Sequence, residues 1–197
     1  SSDWSSDVCS SDLNALLTRR TIRQYAPDYI IPEVELHAIC EAAKLSPTGH
    51  NIQDIDLVCV SDRKKVEEVT KITFDTLDKE GQKAYLKRIK KFGVKNPISG
   101  DAGVLVCLVK NERAKEPQRT LVHEGIIEMG LLIAAREFGY QGMVLGCMKQ
   151  GDKAAMEKVL GIEPGKLIIG VVLGKPADKV LFHPKKIFSK VTYRSEE

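Results

Sequence analysis

Leu36, Ile39, Cys40 and Ala43 recur at i, i+3, i+4 and i+7. This period puts one apolar stripe on a helix that opens near Pro32 and is stopped by Pro47 and Gly49. Val66, Val69 and Ile72 mark one face of a second helix, from Arg63 to about Phe74. Between them, Asp56 to Val60 reads as a buried strand. Gly103 to Val109 (GVLVCLV) and Leu167 to Leu173 (LIIGVVL) are apolar on both faces, the pattern of interior strands. Glu124 to Phe138 carries almost no charge on its middle turns and reads as a central buried helix bracketed by Gly139 and Gly142. A further strand begins at Met143-Val144-Leu145, and Asp152 caps a helix running through Leu160. A short helix is expected over Leu13 to Arg20, with Ser11 or Asp12 as its N-cap. Lys79 to Lys95 reads as a basic, exposed helix, and Val180 to Tyr193 as an extended basic tail.

Helices and strands alternate loosely, with no fixed repeat. The pattern predicts an α/β or α+β sheet of four or five strands wrapped by helices. The length suits one domain with a sizeable core, taken as residues 13–197. Residues 1–12 read as imperfect copies of one short phrase (SSDW, SSDVC, SSDL) with no apolar period. They are set aside as a non-native or disordered segment.

Composition narrows the function classes. Apolar residues make up 43% and charged residues 29%, as in ordinary globular chains, and a net charge of +3 is too small to imply a nucleic-acid partner. The five cysteines (Cys9, Cys40, Cys59, Cys107, Cys147) form no CxxC pair, so neither a metal nor an iron–sulfur site is expected. Cys40, Cys59 and Cys107 sit among apolar residues and read as small hydrophobes. Their odd number and lack of framework spacing favour a reducing, cytoplasmic setting. No apolar run reaches the length of a membrane span, and no signal peptide is evident.

Two segments carry candidate chemistry. Arg19-Arg20-Thr21-Ile22-Arg23 concentrates three guanidinium groups and a hydroxyl, and the planar arginine fork suits phosphate oxygens. Ser46-Pro47-Thr48-Gly49-His50-Asn51-Ile52-Gln53 is small, polar and rich in hydrogen-bonding groups. Flanking one amphipathic helix, the pair suggests a site for a phosphorylated, flat, polar-edged ligand. The chain has neither GxGxxG nor GxxxxGK[ST], so side chains would have to hold the phosphate. Plainer readings stand beside these: a solvated helix end for the arginines, a helix-terminating loop for Ser46 to Gln53, and one backbone hydrogen bond for His50. His37 and His183 carry no assigned role. Cys147 reads as a packed thiol, and Lys83 to Lys95 as a solvated face or a mobile lid.

Arg19-Arg20-Thr21-Ile22-Arg23-Gln24-Tyr25 resembles the RRSIRxY/F motif that opens FMN-dependent nitroreductases. Ser46 to Gln53 resembles the family's (A/S)P(S/T)xxNxQPW motif. Gly125 to Gly146 is similar to its central helix and the GLGxCWxG turn, and Leu173-Gly174-Lys175-Pro176 to its late strand ending in G(Y/K)P. The resemblance runs from Leu13 to the C-terminus. The GHN form of the second motif, and the ending Pro184-Lys185-Lys186, are similar to a subgroup often fused to a ferredoxin-like module.

The resemblance implies a three-layer α+β fold with a mostly antiparallel sheet of four or five strands, and a homodimer with exchanged C-terminal tails. Arg19, Arg20, Thr21 and Arg23 would hold the FMN phosphate and one edge of the ring, Arg23 poising the pyrimidine edge. Pro47, Thr48, Gly49, His50 and Asn51 would reach the other subunit's FMN. Leu145 and Gly146 would line the ring, and Lys186, with Lys185 beside it, would supply the late basic residue. The cofactor carries the hydride, so no catalytic side chain is expected. The implied activity is NAD(P)H-dependent reduction of nitroaromatics, quinones or similar acceptors, with a ferredoxin-like donor as a further possibility. Four departures stand out: Asp54-Ile55 for Pro-Trp, which alters the pocket floor; Met143-Val144-Leu145 for Ser-Cys-Trp; His123 for an acidic residue; and Lys186 for Arg. A non-catalytic FMN-binding or sensing protein is the second reading. A basic helical nucleic-acid adaptor is the third.

Overall fold

Among the described residues, four strands make one sheet: β1 (Ile55–Val60), β2 (Val104–Lys110), β3 (Gln141–Val144) and β4 (Leu167–Gly174). Their order is β1-β2-β4-β3, with every neighbouring pair antiparallel. The computed structural model describes residues 10–180 and 186–194. Residues 1–9, most of the segment set aside above, and Lys185 lie outside the described residues. Among the described residues, six α-helices surround the sheet: α1 (Ser10–Thr18), α2 (Glu33–Lys44), α3 (Arg63–Asp75), α4 (Lys79–Phe92), α5 (Pro117–Glu137) and α6 (Lys153–Leu160).

The two central strands are apolar on both faces because both faces are covered. Leu105, Cys107 and Val172 pack under Val66 and Val69 of α3 and Met156 and Leu160 of α6. Val106, Leu108 and Val171 pack under Ile39 and Ala43 of α2 and Leu131 and Ala135 of α5. Each fully buried side chain of this kind contributes about 1.5–3 kcal/mol, so the three layers are fixed by apolar burial. The α+β, antiparallel expectation is borne out.

Several boundaries differ from expectation, each for a local reason. Helix α1 already runs at Ser10, which puts Ser11 and Asp12 inside it instead of at its N-cap, and it stops at Thr18, leaving Arg19 and Arg20 outside. Helix α4 ends at Phe92 because Gly93 adopts φ 67°, a left-handed cap. Strand β3 starts at Gln141, two residues before Met143. Helix α5 begins two turns before Glu124, with Pro117 in its first turn. Those two turns are inside out: Thr120, His123 and Glu124 are buried, while Leu121 and Val122 are exposed. That inversion hides the helix from a search for apolar periodicity.

Cys59 departs from the packed-hydrophobe reading. It sits on β1, an edge strand, and its thiol is exposed.

Candidate functional site

Arg19 to Arg23 runs extended from the end of α1 toward an isolated bridge between Tyr25 and Pro176. Ile22 and Tyr25 anchor it in the core, in the same apolar cluster as Leu145. The Arg20 backbone N–H donates to Gln141 Oε1 at 3.3 Å, and Ala26 N–H to the Lys175 carbonyl at 2.9 Å. The segment therefore lies along the β3–β4 side of the sheet, on the face that carries Leu145 and the exposed Gly146.

The three arginines have different partners. Arg20 Nη1 donates to the carbonyls of Leu17 at 2.6 Å and Arg19 at 2.8 Å, turning it back over the end of α1. There it acts as a helix-end cation. Arg19 and Arg23 each bury an Nε with no hydrogen-bond partner. Neither makes an ion pair among the described residues. Burial, and then the like charge of Arg88, hold the Arg23 guanidinium below its ordinary pKa. An unmatched buried donor costs about 1–3 kcal/mol. Two in one segment, beside a third cation and with no ion-paired carboxylate among the described residues, suit an incoming phosphate monoester. Thr21 is exposed beside them.

Helix α4 covers this segment; the lid reading of Lys83 to Lys95 allowed for a cover, but not for these contacts. Arg23 lies under Phe92, its Cζ 5.9 Å from the ring centroid. Gln24 Nε2 donates to the Phe92 carbonyl at 3.0 Å. Arg88 stacks on Tyr85 at 4.0 Å, and Tyr85 and Cys147 both pack against the core. Tyr85, Arg88 and Phe92 lie at i, i+3 and i+7, so one face of the basic helix is a cover and the rest is solvated. Cys147 is a packed thiol, as expected.

The second segment is strained. His50, Asn51 and Gln53 have φ of 54°, 54° and 52°, a left-handed region that costs a non-glycine residue about 1–2 kcal/mol. A plain helix terminator would place glycine there. Local bonds hold the turn: Gln53 N–H to Thr48 Oγ1 at 3.1 Å and Gln53 Nε2 to Asn51 Oδ1 at 2.8 Å. Pro47, Gly49, His50 and Asn51 are exposed, and Thr48 is half-buried.

A buried relay braces this loop. Gly49 N–H donates to His123 Nε2 at 2.8 Å, and His123 Nδ1 lies 2.7 Å from Asp54 Oδ1. Thr120 Oγ1 donates to Asp54 Oδ2 at 2.7 Å. Since Nε2 accepts, the imidazole proton is on Nδ1 and is donated to the carboxylate. Asp54 and His123 are each 2% exposed. Burial works against the Asp54 charge, but the hydrogen bonds from Thr120 and His123 outweigh it and keep the carboxyl below its usual range. Asp54 and Ile55 are the pair expected to alter the pocket floor. Both are buried, and Asp54 serves the loop through His123. Two departures from the family pattern, far apart in sequence, are one device.

A carboxylate pair was also missed. Glu124 Oε1 accepts from Lys149 Nζ at 2.7 Å. Glu128, one turn on, has its carboxyl pushed up to about 7 by burial and then by the Glu124 charge. Two acids at i and i+4 on an otherwise apolar helix were the available signal.

Within the chain, none of the hydrogen bonds found among the described residues joins the second segment to Arg19–Arg23. Lys186 is exposed in the tail. The structure thus brings the arginine segment, through Ile22 and Tyr25, into one apolar cluster with Leu145, while the hydrogen bonds of Gly49 run to His123 on α5.

The nitroreductase family model matches residues 16–175, and the chain belongs to that family. An Archaeoglobus fulgidus protein, provisionally assigned as an NADH dehydrogenase/NAD(P)H nitroreductase, is 26% identical over 174 residues, spanning 87% of this chain and 88% of that protein. A nitroreductase with bound FMN from Desulfitobacterium hafniense has a TM-score of 0.76 at 21% identity, covering 94% of this chain and 98% of that one. A second, from Bacteroides fragilis and also with bound FMN, has a TM-score of 0.74 at 20% identity, with the same coverage of both chains.

Proposed function

We propose that this protein is an FMN-dependent oxidoreductase that takes reducing equivalents from NAD(P)H and passes them to small electron-poor acceptors such as nitroaromatics or quinones. The observation that carries the reading is the pair of buried, unpartnered Nε donors of Arg19 and Arg23 in a family where FMN-bound members share the fold. When bound, FMN supplies hydride acceptance and donation at its ring.

The chain's residues would bind and orient. Arg19 and Thr21 hold the phosphate, with Arg20 adding charge from the end of α1. Arg23, held under Phe92, places a fixed cation at the pyrimidine edge, where it favours negative charge. Leu145 and Gly146 line the ring; a glycine there leaves open space, since a Cβ at Gly146 would touch nothing within 4 Å. Lys186 and Lys185 add cationic charge from the tail. Tyr85 and Phe92 of α4 exclude water above Arg23.

The site would be completed by a second copy of the chain, whose Pro47–Asn51 loop supplies the other wall. Exposed apolar side chains support this: Leu121, Val122 and Met129 on α5, and Leu13, Leu16 and Leu17 on neighbouring α1. Large apolar side chains left in water on two adjoining helices suit an interaction face. Ile187, Phe188, Val191 and Tyr193 leave the tail equally apolar and exposed, suited to exchange between protomers.

The sensing alternative was motivated by Asp54 and Ile55; the buried relay gives Asp54 a bracing role, and Ile55 packs in the apolar core. A nucleic-acid role needs free aromatic rings on α4, but Tyr85 packs against the core and Phe92 lies over Arg23. No helix of the described residues is long and apolar enough to cross a membrane. The test is NADH or NADPH oxidation by the FMN-loaded protein with nitrofurazone or menadione. Turnover with either nucleotide is expected. FMN that binds but is reduced by neither nucleotide would overturn the enzyme reading.

A further inference from the structure

Cys40 and Cys59 converge although residues 41–58 separate them in the chain. Cys40 is on the buried face of α2 and Cys59 on the edge strand β1, and their Sγ atoms are 3.1 Å apart. That is about 1 Å longer than a disulfide bond. Both line a groove of about 790 Å³ between α2 and β1, with His37, Glu41 and Lys44 near its mouth. Cys59 faces solvent and Cys40 is buried behind it. Apolar packing explains Cys40 but not an exposed thiol in contact with it.

The two sulfurs are unequal. Either sulfur can donate across this contact; with the proton on the buried Cys40, the shared hydrogen bond and then burial push Cys40 up, and the same bond pushes the exposed Cys59 thiol down. The thiolate therefore forms on the outer sulfur, and the proton stays on the inner one. This is the division between an attacking and a resolving cysteine.

We propose that Cys40 and Cys59 are a redox modification site, closing reversibly to an intramolecular disulfide in response to peroxide. The Cys59 thiolate attacks one peroxide oxygen and the O–O bond breaks. Cys59 becomes a sulfenic acid, and the departing hydroxide takes a proton from solvent. The Cys40 sulfur then attacks the sulfenic sulfur. The S–S bond forms, the S–O bond breaks, and the Cys40 proton leaves with the hydroxide as water. Two thiols lose two electrons, and peroxide becomes two waters. A small dithiol reverses the change by exchange.

The bond would close a ring over residues 40–59. That ring contains the strained loop from Ser46 to Gln53, so oxidation would tie both ends of the loop together. The proposal does not depend on bound flavin.

The test exposes the full chain to hydrogen peroxide, alkylates free thiols under denaturing conditions, and maps the peptides by mass spectrometry. A linked Cys40–Cys59 peptide is expected, lost after dithiothreitol and absent from Cys59→Ser. Its formation should raise Tm by about 6–12 °C, with no such rise in Cys59→Ser. Cys107, whose buried thiol is pushed up to about 12, should stay alkylated and serve as the internal control. Cys59 lies at an exposed position, so its serine variant tests the idea even if Cys40→Ser fails to fold. Sulfinic or sulfonic acid at Cys59 with Cys40 free, or a linkage found only between chains, would overturn it.

Discussion

The Gly49 backbone N–H donates to His123 Nε2 at 2.8 Å, tying the strained polar loop to the buried side of α5. Through His123 Nδ1 and Asp54, the tie reaches the first residues of β1. Asp54→Ala would leave the imidazole Nδ1–H and the Thr120 hydroxyl buried without their acceptor. The expected loss is about 3 kcal/mol, or roughly 6–12 °C of Tm for a chain of this size. Asp54→Asn keeps an acceptor for His123 and should lose less. Thermal melts of both variants check the order, and proteolysis near Gly49 should speed up in Asp54→Ala first.

Two carboxyls should move stability with pH in opposite directions. Asp54 has a lowered native pKa, so its contribution is present above the ordinary carboxylate range and is lost as pH falls through the native value, below about 4. Glu128 is raised from 4.5 to about 7. Between those values the folded state holds the extra proton, so stability falls as pH rises across that window. Glu128→Gln should flatten that fall and raise Tm at pH 8. Melts from pH 3 to 8 on wild type and Glu128→Gln read both effects; an unchanged slope in the variant would remove Glu128 from the account.

Gly100 should prove essential to the placement of Arg23. Its φ is +65°, and a Cβ there would lie 2.5 Å from the Arg23 carbonyl oxygen. Gly100→Ala therefore carries left-handed strain of about 1–2 kcal/mol and displaces the Arg23 backbone. Weaker FMN retention with near-native circular dichroism is the expected result.

Val122→Glu puts a charge on the exposed apolar turn of α5. Light scattering should show dimer for wild type and a smaller species for the variant, with FMN lost in parallel, because the proposed site takes its Pro47–Asn51 wall from the second copy. A wild-type chain that stays monomeric while retaining FMN would contradict the shared site.

Much of the fold was legible because its core obeys simple periods. The strands over Val104–Lys110 and Leu167–Gly174 announce themselves as two-faced apolar runs, and the stripe of Leu36, Ile39, Cys40 and Ala43 is the buried face of α2. The start of α5 was not legible, because there the chain buries Thr120, His123 and Glu124 and exposes Leu121 and Val122. Periodicity assumes one chain in water, and a face shaped for something else breaks that assumption. The arginine cluster was visible as composition, but its division was not. That Arg20 caps α1 while Arg19 and Arg23 keep unmatched donors depends on where α1 stops. The Asp54–His123 contact joins positions too distant in sequence for any local pattern to connect.

The most direct measurement is the visible absorption spectrum and FMN content of the purified protein beside Arg19→Ala and Arg23→Ala. Wild type should be yellow and release FMN on denaturation. Arg19→Ala should lose most of the cofactor, while Arg23→Ala keeps more of it but is reduced slowly by NAD(P)H. A colourless wild-type protein that fails to take up added FMN would contradict the central claim.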